Sequence, residues 1–385
     1  MLRFLTAGES HGPCLTAIVE GLPAGLDVDV EAINRDLARR QGGYGRGGRM
    51  KIERDKVDIL GGVLPSTGSG HRGGKTTGAP VSLRIENRDW ANWRERWASG
   101  DLPKLTVPRP GHADYAGMVK YGLDDARPIL ERASARETAA RVAVGALAKL
   151  LLAEFDVDMG SVVAEIGGVV AQVPDLGWPE LWDLAEAGDV RCPDEAAAIK
   201  MREAIDAARE AGDSLGGVFV VAAMGLPVGL GSHVQWDRRL DARLAAGVMS
   251  IQAIKGVEIG PAFENARLQG TQVHDEIEIS NRKSQIPNIV RASNRAGGIE
   301  GGMTNGEPVV VRAAMKPIPT TVTPLRSVDL ATGEEAATQY QRSDVCAVPA
   351  ASVVGEAMVA WVLADALVEK LGGDSLAEMM RHSRR

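Results

Sequence analysis

Val218-Phe219-Val220-Val221-Ala222-Ala223-Met224 is apolar at every position. A strand with one wet face alternates polar and apolar side chains. An uninterrupted run therefore predicts a strand over 217–224 that is covered on both faces. Further strands are expected at 56–60, 80–85, 161–172 and 308–315, and helices at 29–41, 135–153, 194–211, 238–254 and 350–371. In 29–41, Val30, Ile33 and Leu37 share one helix face, and Gly42 and Gly43 end it. In 135–153 the buried stripe is Val142, Ala146, Leu147, Leu150 and Leu151, with Ser134 and Glu137 at capping-box spacing. Helices and strands do not alternate as βαβ units. The reading is α+β, with antiparallel sheets covered by helices in a single large domain, residues 1–385.

The chain has 385 residues, 44% of them hydrophobic and 25% charged, so disorder of the whole is ruled out. A net charge of −7 weighs against a general nucleic-acid binder. The charge is uneven: residues 1–150 hold 23 Lys and Arg against 18 Asp and Glu, and the remainder is strongly acidic. Three scattered cysteines, Cys14, Cys192 and Cys346, fit a reducing compartment without a disulfide framework or zinc site. The start, MLRFLTAGESHGP, turns polar too soon for a signal peptide. No run of about 20 apolar residues is read, so no membrane span is expected and the cytoplasm is the default location.

Two motifs fail on context. Gly43-Tyr44-Gly45-Arg46-Gly47-Gly48 matches G-x-G-x-x-G but follows a helix instead of a strand. Gly73-Gly74-Lys75-Thr76 resembles the end of a P-loop, but Ser69 stands where its first glycine belongs. The surrounding loop is still basic: Arg39, Arg40, Arg46, Arg49, Lys51, Arg54 and Lys56 oppose only Glu53 and Asp55. Guanidinium forks on a glycine-rich backbone suit capture of phosphate or carboxylate; a solvated loop or an RNA-binding segment are the alternatives. Arg132-Ala133-Ser134-Ala135-Arg136 brackets a helix start, where free N–H groups favour an anion. His11 in Gly8-Glu9-Ser10-His11-Gly12-Pro13 and His112 in Pro110-Gly111-His112-Ala113-Asp114 sit in turns where an imidazole can reach a ligand and trade protons. Arg342 and Asp344, two apart before a helix, point to one side. Cys346 reads as a small buried hydrophobe.

Taken in order, GESHGP, RASARETAARVAVGA, SIQAIKGVEIG, GGIEGGMTNGEP, AAMKPIPTT and RSDVCAVPA make the chain resemble chorismate synthase over nearly its whole length. Other family members carry Asn where Gln252 stands and His where Ser343 stands. The resemblance implies a β-α-β sandwich, a homotetramer, and trans-1,4 elimination of phosphate from enolpyruvylshikimate phosphate with reduced FMN and no net redox change. It places His11 near the substrate phosphate, His112 beside the flavin ring and Asp344 near flavin N5. Arg40, Arg46, Arg49, Arg109, Arg136 and Arg342 are implied to line the polyanion pocket. Flavin contacts are implied for Arg132, Ala133, Ser134, Gln252, Ala253, Gly301, Lys316, Pro317, Ile318, Pro319, Thr320 and Arg342. NADPH is implied as a reductant in some members, with Arg40 and Arg46 as its positions here. The partner is a small molecule, with no metal, nucleic acid or membrane.

Overall fold

The computed structural model describes residues 1–48, 52–65, 73–281, 288–340 and 343–383. Arg49 and Arg342, both expected at the site, lie outside the described residues.

Strands Arg3–Ala7, Cys14–Glu20, Val81–Glu86 and Val57–Gly61 pair antiparallel in that order as a first sheet. A second antiparallel sheet runs Ile254–Ile259, Val309–Met315, Gly217–Met224, Asp158–Ile166 and Val169–Val170. Helices fill the space between the two sheets. Thr138–Ala153 packs on the first sheet, Val348–Leu371 on the second, and the two pack on each other, with Val30–Gln41 alongside both. The result is a β-α-β sandwich. One buried cluster runs from Leu15, Val19 and Leu83 through Leu147 and Leu151 to Val359, Phe219 and Val221.

The central helices touch closely because a glycine sits at the crossing. A Cβ on Gly145 would lie 2.3 Å from the Cβ of Ala357, so any larger residue would push the layer apart. Val348–Leu371 is long and apolar enough to cross a membrane by composition alone. Here 89% of its most apolar window is buried inside the protein, so it serves as the core helix. Pro349 opens it and Gly372 closes it.

The 217–224 strand is covered on both faces, as its composition predicted. Phe219, Val221 and Ala223 belong to the main core, while Val220, Ala222 and Met224 join Leu181 and Trp182 of the Trp178–Ala187 helix. Glu195–Glu210 adds Met201 and Ile205 against Val163 and Ile166. The acidic stretch around 174–210, which had no role in sequence, is therefore the outer cover of the second sheet. The first sheet has no such cover: Leu5, Ile18 and Leu60 on its outer side are more than half exposed.

Some expectations shift. The 238–254 helix runs only from Leu240 to Met249, with Ser250 as its cap, and a turn with Ala253 in the left-handed region (φ 68°) leads into the strand at Ile254. The 161–172 segment is two strands. Ser134 accepts a hydrogen bond from the Arg136 backbone N–H, but no reciprocal capping box forms. Glu137 is drawn instead to Thr6, Arg141 and Gln252.

Candidate active site

A cavity of about 530 Å³ opens where the two central helices begin. Residues 133–138 lead into one helix, and Ala347, Ala350, Ala351 and Val354 belong to the start of the other. Both helices thus turn their positive ends toward the cavity. Among the described lining residues, Arg40, Arg46, Arg109, Arg136 and Lys316 are cationic and only Asp344 is a carboxylate. The counter-charges Asp55, Asp114 and Glu131 stand behind that wall.

Arg40 and Arg136 flank Asp55. Arg136 gives it two bonds of 2.6 and 2.8 Å, donates to Asn87 Oδ1 at 2.7 Å, and is 2% exposed. Arg40 donates to Thr138, to the Ala135 carbonyl and, at 3.3 Å, to Asp55. Burial pushes the Arg40 guanidinium down to about 10; Asp55 opposes this, and Arg136 and Arg46 add to it. An anion in the cavity would relieve that crowding of positive charge. Arg46 reaches across to Asp344 at 2.6 Å, whose other oxygen accepts the Gly47 backbone N–H at 2.6 Å. A Cβ on Gly47 would sit 2.5 Å from the Ser343 carbonyl oxygen, so glycine is what lets the basic loop press against the Asp344 segment.

The two histidines are held in the same way. His11 Nδ1 lies 2.8 Å from Glu131 Oε1, and its backbone N–H donates to Oε2 at 2.8 Å. Trp93 covers the His11 ring at 4.1 Å between centroids. His112 Nδ1 lies 2.5 Å from Asp114 Oδ1, and Arg109 donates to both oxygens of the same carboxylate at 2.8 and 3.0 Å. Burial raises the Asp114 carboxyl, but bonds from His112 and Arg109 and the Arg109 charge outweigh it and hold it well below the usual range. At His11 a carboxylate on Nδ1 leaves Nε2 as the ring nitrogen for a ligand, whereas at His112 the Arg109 guanidinium lies 3.0 Å from Nδ1 and 3.3 Å from Nε2 as well.

Of the expected flavin contacts, Ala133, Ser134, Gln252, Ala253, Lys316, Ile318, Pro319 and Thr320 line the cavity. Gln252 gives its amide N–H to Glu137 at 3.1 Å, and its Oε1 is buried with no donor. Lys316 is lowered by burial and then by Lys255, and donates to the Gly111 carbonyl at 3.1 Å. Three expected contacts fall elsewhere. Arg132 turns to the Thr6 carbonyl and hydroxyl, Gly301 sits in the turn between Ile299–Glu300 and Met303–Thr304, and Pro317 is not part of the wall. Cys346 is fully buried, and burial pushes its thiol up to about 11, so it is no nucleophile. Among the described residues no group of three or more His, Cys, Asp or Glu could hold a metal.

Sequence reasoning missed Glu131, Asp114, Asp55 and Trp93. Asp114 had a local signal, two residues from His112. Glu131 had none, since 120 residues separate it from His11.

The profile of the chorismate synthase family matches residues 2–368. A chorismate synthase of Trichlorobacter lovleyi is 58% identical over 99% of this chain and 97% of its own length. One of Desulforamulus reducens is 59% identical over 98% and 96%. A crystal structure of chorismate synthase superposes with a TM-score of 0.78 at 46% identity, covering 100% of this chain and 96% of the other. With the electropositive cavity built by residues from both halves of the sequence, and a family match over residues 2–368 with relatives 58–59% identical over 98–99% of the chain, this chain belongs to the chorismate synthase family.

Proposed function

We propose that this chain is a lyase that eliminates phosphate from enolpyruvylshikimate phosphate to give chorismate, with reduced FMN bound beside the substrate. The observation that supports it most is the cavity wall of five cations against one carboxylate. The substrate carries a phosphate and two carboxylates, and clustered guanidiniums in a partly dry site hold such charge far better than water-exposed ones. In this reading Arg46 and Arg109 bind and orient the anionic groups, and Arg40 and Arg136 set the positive field behind them. His11 Nε2 gives a proton to the departing phosphate, and His112 and Asp344, in the same wall, would hold the flavin.

The residues present fit a flavin. The buried, undonated Oε1 of Gln252 suits a ring or ribityl donor, and Ser134, Lys316 and Thr320 offer polar partners on the same wall. The chemistry a reduced flavin supplies when bound is reversible donation of electron density to an allylic system. The Asp344 carboxylate is held in place between Arg46 and the Gly47 backbone N–H, where it can steer a proton without moving. NADPH as reductant would take the Arg40 and Arg46 wall and so compete with substrate; NADPH oxidation with and without substrate checks this.

The whole chain, 1–385, acts as one catalytic unit in this reading, since a single buried cluster joins both sheets. A homotetramer would cover the exposed Leu5, Ile18 and Leu60 face, and light scattering of the purified protein tests that. A cytoplasmic location goes with the assignment. The deciding assay is anaerobic phosphate release with dithionite-reduced FMN. Many products per reduced flavin support elimination, and one product per flavin oxidised points to an oxidoreductase.

A further inference from the structure

We infer that Glu131 is a positioning residue for His11, fixing its proton on Nδ1 so that Nε2 alone meets the leaving group. This rests on the elimination reading above. Glu131 sits on the Arg127–Ala133 helix with its side chain 3% exposed. Both of its oxygens meet the same residue: one lies 2.8 Å from the His11 ring Nδ1 and the other accepts the His11 backbone N–H. The Glu131 carbonyl also accepts the Ser10 backbone N–H at 3.1 Å. The His11 turn is thus tied down at three points, and Trp93 limits rotation of the ring from its face.

Asp114 shows what is particular here. It too meets a histidine, but Arg109 supplies its counter-charge whether or not the ring is charged. Glu131 has His11 as the partner of both its oxygens and, among the described residues, no guanidinium bonded beside it. The hold of Glu131 on the ring therefore rests on the His11 contacts themselves, at 2.8 Å to Nδ1 and 2.8 Å to the backbone N–H. With phosphate on the far side, His11 bridges two anions and bears a proton on each nitrogen. As the C–O bond breaks, its electron pair stays with phosphate, whose oxygen takes the Nε2 proton. The ring, now neutral, keeps Nδ1–H on Glu131. The proton lost from the substrate ring passes to solvent, and solvent restores Nε2.

The test uses the full chain labelled with ¹⁵N-histidine, with the His11 signals identified by their loss in His11→Gln. In wild type, Nδ1 should read as protonated, and Nε2 should respond to added inorganic phosphate. Glu131→Gln can donate or accept, so its His11 spectrum should become a tautomer mixture. Its kcat should fall about tenfold to a hundredfold, the range for loss of an outer partner of an active imidazole, while KM moves far less. Glu131→Asp keeps the carboxylate and should recover part of the rate. Wild-type Nδ1 found unprotonated would overturn the proposal without any variant. So would a Glu131→Gln enzyme with normal kcat and an unchanged spectrum. Absence of phosphate release by wild type would instead sink the elimination reading, while the spectrum would still report on Glu131.

Discussion

Arg39 and Arg40 are neighbours on the Val30–Gln41 helix, yet they belong to two charge clusters of opposite design. Arg39 reaches Glu356, Glu186 and Asp36, and Lys149 and Arg191 close the same group from the Thr138–Ala153 helix and the loop after Gly188. Glu356, fully buried in the middle of the core helix, also accepts from Ser161 at 2.6 Å. Three cations meet three carboxylates, and nothing is left over. Arg40 faces the cavity, where cations line the void and their carboxylates stand behind. In the first cluster the opposite charges interlock and bind the layers together; around the cavity the cations face the void while Asp55, Glu53 and Asp114 pair with them from behind, so a positive face is turned toward a ligand. Burial pushes Glu356 up, but Lys149, Arg39 and Arg191 outweigh it and hold it well below the usual carboxylate range.

The largest effect should appear on the cavity side. His11→Ala and His112→Ala should fold and turn over about 10²–10⁴ more slowly, the usual worth of a general acid or base. Asp344→Asn should keep flavin binding and lose turnover. Anaerobic phosphate release and flavin titration check both, and near-normal rates would dissolve the contrast between the clusters.

Next comes the matched cluster. Glu356→Ala strands Arg39, Lys149 and Arg191 in the interior and should cost about 3–5 kcal/mol of stability, as broken buried ion pairs do. Turnover per folded molecule should hold. Denaturant unfolding beside an active-site titration separates the two quantities.

A finer contrast lies within the cavity wall. Arg46→Ala removes one charge-assisted contact of about 1.5–3 kcal/mol, or roughly tenfold to a hundredfold in substrate affinity. Sequence alone predicts the same for Arg136. The structure changes that expectation, because Arg136 is 2% exposed and spends its donors on Asp55, Asn87 and the Glu86 carbonyl. Arg136→Ala should lower stability at least as much as binding. Isothermal titration and thermal unfolding of both variants would reveal an Arg136 that acts purely on ligand.

The smallest effect is on pH. A carboxyl held below its unfolded value of about 4.3 contributes stability that is complete above that value and is lost as pH falls through the folded value. Stability should therefore drop on acidification below about pH 4. Glu356→Gln should flatten that limb, which unfolding curves at stepped pH would reveal.

By itself the sequence settled the main elements and the residue types of the site. The 217–224 run announced a doubly covered strand, and Val30, Ile33 and Leu37 announced the first helix, because periodic burial is written locally. The alternation of Leu15, Ala17 and Val19, all buried, was equally readable in Cys14–Glu20 but went unread. His11 and His112 were found from turn-prone sequence, Arg46 from the basic loop and Asp344 from its spacing with Arg342 before a helix, and the family resemblance gave them roles. Only the tertiary structure decided what stands behind each of them. Glu131 beneath His11, Asp55 between Arg40 and Arg136, and the assignment of Arg39 and Arg40 to different clusters depend on residues 15 to 317 positions apart. Charge pairing acts through space over a few ångströms, and no spacing in the chain encodes which distant carboxylate will arrive there.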